Sequence, residues 1–343
     1  MINNYKFILV ILSSFLLSAC FKEEAPIKRG TGDTIINSVF LGENYENQIF
    51  FDLGTNTFQQ KNLIEWDLRF RSGKNEIGVF VNTGKEIKMR KLNLYNLDEP
   101  LTADTNYIKS IPELVDNPDG NANNSAIGDW TKYILSNGNK SGIYVLELTY
   151  EKGWNRFIRL QILSSNDSFY VCKFVPLYKN GIKVTEWDIT TKIPKNFNQN
   201  FTYFSFKNDG KIVENAEPDK RTWDIEFTKY KHTFFEFTPP LPYPVTGILS
   251  NSFNVEIAID SSNNFEKISM ANVKDLSFSK KRNTIGFEYK AFSFKSTFEY
   301  TINSKNTYVI KDTEGNYYKL KFLDFYNNKK ERGYPKFEFI ILK

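Results

Sequence analysis

A chain of 343 residues with one histidine, two cysteines and three methionines has little from which to build a metal or nucleophile centre. A typical zinc site takes four ligands, mostly Cys and His, and His232 with one free thiol falls short of that. Cys172 lies in Phe169-Tyr-Val-Cys-Lys-Phe174, an alternating apolar stretch that reads as a buried strand. That placement speaks against a Cys–His nucleophile pair. No Gly-x-Ser-x-Gly elbow and no phosphate-cradling glycine loop occurs. Charge of one sign is missing too. Lys and Arg number 45 and Asp and Glu 40, a mixed surface at net +5 with no basic stripe for nucleic acid. Long segments of helical period are absent, although 63–69 and 266–276 have room for a turn or two.

Aromatic residues, in contrast, are abundant. They make up 16% of the chain, with 31 Phe and 19 Tyr. Such side chains suit pleated surfaces, where cross-strand aromatic pairs stabilise sheets. Short alternating segments follow one another: Ile77–Val81, Gly142–Leu146, Phe157–Leu163, Asn254–Ala258, Thr307–Ile310, Tyr318–Leu323 and Phe337–Ile341. Turn clusters punctuate them, among them Asn117-Pro-Asp-Gly120, Ser136-Asn-Gly-Asn139, Asn208-Asp-Gly210 and Glu314-Gly-Asn316. The class is all-β, antiparallel and sandwich-like, with little helix.

The first residues read as an address. Lys6 precedes an apolar run, Phe7–Leu17, and then Leu17-Ser-Ala-Cys20. A basic start, a short apolar segment and small residues at a cut site make a secretory signal peptide over 1–19. The run is too short to cross a hydrocarbon core, which takes about 20 residues. A cysteine directly after Leu-Ser-Ala resembles a bacterial lipobox, which makes Cys20 the expected lipid attachment and leaves Cys172 without a disulfide partner. Residues 20–34 form the expected tether. Phe21-Lys-Glu-Glu24 resembles the charged tag by which Bacteroidetes lipoproteins reach the outer surface, so the expected location is the outer membrane, lipid-anchored and exposed.

The chain also repeats itself. Phe50-Phe-Asp-Leu53 precedes Trp66-Asp-Leu-Arg-Phe70, and Tyr203-Phe-Ser-Phe206 precedes Trp223-Asp-Ile-Glu-Phe227. A second matched set closes each half: Tyr144–Leu146, Ile158–Leu163 and Val171–Leu177 against Tyr308–Ile310, Tyr318–Leu323 and Phe337–Leu342. Two copies of one β-unit are expected, at 45–180 and 200–343. Asp67 and Asp224 are the one carboxylate pair that invites comparison with glycosidases. Their repeated place beside a Trp at a strand start fits a short side chain that ties down turn N–H groups instead. Trp66 and Trp223 read as core anchors, while Trp130, Trp154 and Trp187 remain open to stacking on a ligand. Pro239-Pro-Leu-Pro-Tyr-Pro244 lacks the N–H donors of a central strand and reads as a stiff exposed loop, a natural contact for ligand or partner.

Taken in order, these motifs resemble the HmuY family of Bacteroidetes surface lipoproteins. The second half carries the likeness most fully, in Tyr203–Phe206, Thr222–Phe227, Tyr317–Tyr326 and Gly333–Phe339. Pro242–Asn251 and Ser125–Trp130 resemble segments of longer, two-repeat relatives. The resemblance implies a non-enzymatic protein that captures haem for an outer-membrane receptor. The alternative is an accessory surface lipoprotein that binds glycan or protein without haem. The family pattern places an iron-ligating His after the Trp-Asp strand, where this chain has Thr228 and Arg71. Neither ligates iron as imidazole does. His232 lies four residues beyond Thr228 and shares its strand face, which makes it the candidate haem ligand. A second axial ligand would come from Met89, Met270, a tyrosine, or nowhere.

Overall fold

The computed structural model describes residues 32–94, 105–132, 141–151, 156–179, 182–183, 189–294 and 298–343. The chain opens with β1 (Ile35–Ser38), β2 (Asn47–Asp52), β3 (Thr57–Asn62), β4 (Leu68–Arg71), β5 (Val79–Val81) and β6 (Lys88–Leu92). Next come β7 (Ile143–Glu147), β8 (Phe157–Ser165), β9 (Phe169–Pro176), β10 (Tyr178–Lys179), β11 (Ile182–Lys183) and β12 (Ile189–Pro194). Then follow β13 (Phe201–Ser205), β14 (Lys211–Ile212), β15 (Ile225–Phe234), β16 (Leu241–Ser250) and β17 (Glu256–Asp260). The last strands are β18 (Lys290–Phe292), β19 (Tyr300–Ile302), β20 (Thr307–Lys311), β21 (Tyr317–Tyr326) and β22 (Arg332–Leu342). Two short α-helices occur among the described residues, α1 (Thr105–Ser110) and α2 (Met270–Val273). The all-β expectation is met, and the pairings between these strands are antiparallel.

The strands assemble two sandwiches. In one, the sheet β12-β9-β8-β7-β6 packs on the sheet β14-β13-β4-β5. Its core includes Leu68, Phe70, Met89, Tyr144, Leu160, Cys172 and Phe204. Cys172 is buried, as its alternating surroundings foretold. In the other, β1-β22-β21-β20-β17 packs on β16-β15-β2-β3. Its core includes Ile49, Phe51, Ile225, Phe227, Tyr308, Leu320, Phe337 and Phe339. On β2 and β15 the core takes alternate residues, as strand geometry requires.

The two sequence repeats are interlaced at their starts. The hairpin β2–β3 opens the first repeat, yet β2 pairs with β15, the Trp-Asp strand of the second, with Phe51 opposite Ile225. The hairpin β13–β14 opens the second, yet β13 pairs with β4, the Trp-Asp strand of the first, with Phe204 opposite Leu68. Strand β12 likewise completes the first large sheet and β1 the second. The exchange leaves 66–213 as one continuous stretch that supplies both sheets of one sandwich, while 35–62 and 225–342 together supply the other.

Matched chemistry fixes both crossovers. Trp66 packs edge-on to Tyr203 at 5.0 Å, and Trp223 edge-on to Phe50 at 4.9 Å. Asp67 N donates to Phe204 O, and Asp224 N to Phe51 O. The Asp67 carboxylate accepts from Phe206 N, and that of Asp224 from Leu53 N. Asn82 Nδ2 donates to Trp66 O, and Asn251 Nδ2 to Trp223 O. Both carboxylates therefore do the turn-tying expected of them.

Two local readings need correction. The expected strand Asn254–Ala258 begins only at Glu256, because Asn254 takes a left-handed φ of 60° that a strand does not accommodate. The Pro239–Pro244 segment is not a loop throughout. Leu241–Pro244 is already β16, with Pro242 opposite Thr233 and Pro244 opposite Lys231. β16 is an edge strand. Pro242 and Pro244 share the outward-pointing register of Ile248 and Ser250, whose N–H groups leave the sheet for Gly286 O and Arg282 O. No ladder bond to β15 is lost, which is the condition on which proline enters a strand.

Candidate functional site

The long hairpin β15–β16 carries the only histidine. β2 pairs with β15 only over Ile225–Phe227, so the hairpin continues well past its inner neighbour. The turn at 83–85 braces the continuation. Lys231 N donates to Thr83 Oγ1 at 3.1 Å, and Lys231 Nζ pairs with Glu113. Gly84 lies so close that a Cβ there would meet Lys229 O at 2.1 Å, so only glycine fits.

That brace holds the odd-numbered face of β15. The even face turns the other way. Tyr230, His232 and Phe234 share it with their cross-strand partners Val245, Tyr243 and Leu241. The His232 ring contacts Phe234 at 4.8 Å and Phe287 at 4.7 Å, and Phe234 contacts Phe287 at 5.6 Å. Beyond them the hairpin end exposes Phe235 (78%), Phe237 (52%) and Tyr243 (55%). Phe294 and Phe298 are exposed beside β18 and β19. The site is thus an aromatic face with one imidazole at its inner margin. Burial lowers the His232 pKa below its ordinary value, against the weaker pull of Glu288 and Glu236. The neutral ring keeps a lone pair for a metal or a hydrogen-bond donor at neutral pH.

The other sequence candidates lie elsewhere. Thr228 is buried opposite Gly247 on the same strand. Arg71 donates to Gly120 O and pairs with Glu76. Met89 is fully buried in the core of the other sandwich, and Met270 opens α2 against Ile268 and Val273. Of the second axial ligands considered, a tyrosine is the one the fold brings near, as Tyr243 directly across from His232. Trp66, Trp130 and Trp223 are all buried, so Trp130 does not serve a ligand surface. Cys20, Trp154 and Trp187 lie outside the described residues. A polar depression of about 460 Å³, lined by Ser252, Asn254, Glu256, Lys280 and Lys311–Gly315 among others, contains none of the rings of the aromatic face.

Sequence reading missed the segment that completes the face. Phe287 packs on His232, and Tyr289 and Lys290 follow it into the interior. The signal was an aromatic alternation, Phe287-Glu-Tyr-Lys-Ala-Phe292, which falls in no motif.

Residues 248–339 match the sequence model of the family described as HmuY protein. That stretch falls inside the second repeat, where the resemblance read from the residues is fullest. Solved structures similar to this chain include apo PinO from Porphyromonas gingivitis, 12% identical, covering 91% of this chain and 99% of that one at a TM-score of 0.35. The apo HmuY analog of Tannerella forsythia is 12% identical over 92% and 100%, at a TM-score of 0.31. An HmuY-like heme binding protein from Bacteroides vulgatus is 10% identical over 92% and 95%, at a TM-score of 0.21. No functionally curated protein matches the chain.

Proposed function

We propose, from the HmuY-family match over 248–339, that this is a surface lipoprotein that captures haem or a related flat apolar ligand on the aromatic face of β15–β16. The observation that supports it most is the setting of His232, neutral, half-buried and in ring contact with Phe234 and Phe287. A porphyrin takes apolar walls and an axial donor, and this face offers both. His232 would hold the iron, with Phe234, Phe287 and Tyr243 as walls. With one imidazole in reach, binding is looser than a bis-histidine site would give. The bound haem would then pass to an outer-membrane receptor.

Hemin titration tests this. Wild type is expected to develop a Soret band, and His232→Ala to lose it or to weaken hemin affinity at least about tenfold, a difference of about 1.4 kcal/mol. An identical titration in the variant removes His232 from the site. No hemin binding by wild type moves the protein to the accessory class, with the exposed rings of Phe235, Phe237 and Phe294 as contacts for glycan or protein.

Anchoring has its own test. Wild type should incorporate a labelled fatty acid and sediment with membranes, whereas Cys20→Ala should carry no label. Equal labelling of the two would place the lipid elsewhere or nowhere.

A further inference from the structure

Next to the aromatic face the interior holds three polar groups in poor settings. Lys290 is 6% exposed. Its amine donates to Thr246 O at 2.6 Å and lies over the rings of Tyr289 at 4.3 Å, Phe325 at 4.6 Å and Tyr300 at 5.3 Å. Among the described residues no carboxylate lies within ion-pair distance of it. The hydroxyls of Tyr230 and Tyr289, both buried, have no hydrogen-bond partner among these residues. Ring contacts ease a buried ammonium but do not replace its water.

All three groups sit where the ribbon β18–β19 meets the outward edge of β16. Those two strands pair with each other and extend no larger sheet. At Ile248 the edge of β16 is still met by backbone, through Gly286. At Thr246 the donor is the Lys290 side chain, and at Pro244 and Pro242 there is no N–H to offer. Tyr300 N donating to Tyr326 Oη and Asn303 N donating to Tyr289 O also tie the ribbon, and Tyr289 packs on Phe322 at 4.2 Å and Tyr300 on Phe325 at 4.8 Å.

We propose that Lys290 is a proton-operated latch, holding the strands Lys290–Phe292 and Tyr300–Ile302 against β16 in its neutral form and releasing them when it becomes charged, so that acid opens the inner margin of the aromatic face. Its meaning for ligand exchange rests on the capture reading above, although the latch itself does not.

Burial pushes the Lys290 amine down to about 7. The titratable groups around it are Tyr289 and Tyr300, then Tyr45, Tyr326 and Arg332, with Tyr230 on β15. Glu288 is exposed and acts on His232 and Tyr230. Burial raises the phenols of Tyr45, Tyr230, Tyr289 and Tyr300 above their ordinary range, so they do not titrate near neutrality. A depressed lysine favours the closed form above its ordinary value of about 10.4, and that preference is lost as pH falls toward 7. With an amine near 7 when closed and near 10.4 when open, the opening constant rises about tenfold between pH 8 and pH 6.

Hydrogen exchange of the ligand-free protein reads this directly. After correction for the chemical exchange rate, protection of 289–292 and 300–303 should fall about tenfold from pH 8 to pH 6. The step should vanish in Lys290→Met and persist in His232→Gln. Should Lys290→Met fail to fold, Lys290→Gln keeps a donor for Thr246 O without the charge and carries the same test. A flat profile in wild type, or a step retained without the lysine, overturns the latch. No ligand enters the measurement, so a protein that binds no hemin would still show the step, and one that binds it through His232 need not.

Discussion

Trp223→Ala is expected to lower stability by about 3–5 kcal/mol, the usual cost of emptying a large aromatic site in a packed core. At a urea m-value of about 3 kcal/mol/M that is a midpoint drop of about 1–2 M. Trp223 is 1% exposed and packs edge-on to Phe50. Phe50 belongs to β2, so the cavity would open at the crossover between the repeats and not within one of them. Trp66→Ala should cost a similar amount at the matched crossover with Tyr203. The Phe replacements separate the two sites. Trp66 Nε1 donates to Gln48 Oε1 at 3.1 Å, whereas Trp223 Nε1 is buried without a partner. Trp66→Phe strands an acceptor and should cost about 1–3 kcal/mol more than Trp223→Phe, which strands nothing. Urea denaturation followed by near-UV circular dichroism decides it. Midpoints of the two Ala variants within about 0.3 M of wild type would mean the crossovers contribute little.

How much of this was legible in the residues depends on range. Strand identity was local, and Phe157–Leu163 or Tyr318–Leu323 announce themselves by alternation alone. The Trp-Asp pairs announced the turn-tying role of their carboxylates. The exchange of opening hairpins was not legible. The alternation of Phe50-Phe-Asp-Leu53 fixes which side chains point inward but is silent on which strand lies alongside. Leu68 and Ile225 satisfy the same pleat, so the choice of partner is made by tertiary packing. The candidate site divides the same way. His232 stood out because it is the only histidine, and its face followed from strand parity. Phe287 and Lys290 reach it from more than fifty residues away and had no local mark. The Pro242 and Pro244 positions show the converse. Their lack of N–H argued correctly against a central strand, but an edge strand with its donors turned outward obeys the same constraint.

The last large effect concerns the layer between the sandwiches. The facing sheets β14-β13-β4-β5 and β16-β15-β2-β3 meet through buried polar side chains. Trp66 Nε1 donates to Gln48, Gln48 Nε2 donates to Glu226 Oε1 at 2.6 Å, and Arg282 donates to Glu226 Oε2 at 2.6 Å. Arg282 also donates through Nε to Ser250 O at 2.8 Å, and its guanidinium lies 5.6 Å from the Phe201 ring. Glu226 and Arg282 are 1% and 2% exposed. Removing one partner of such a pair leaves the other charge buried without compensation. Glu226→Leu should therefore cost about 3–5 kcal/mol. Burial already lowers the Arg282 pKa, and the nearby Arg69 adds to that, so the stranded cation is in an unfavourable field from the start. Replacing both partners by apolar side chains of similar volume removes the buried charge, and Glu226→Leu with Arg282→Met should regain most of the loss. A double-mutant cycle by urea denaturation measures the coupling, expected at about 2–3 kcal/mol. Additive costs, with the double variant as unstable as the sum of the singles, would show that the pair does not act as a unit and that the layer is held by its rings alone.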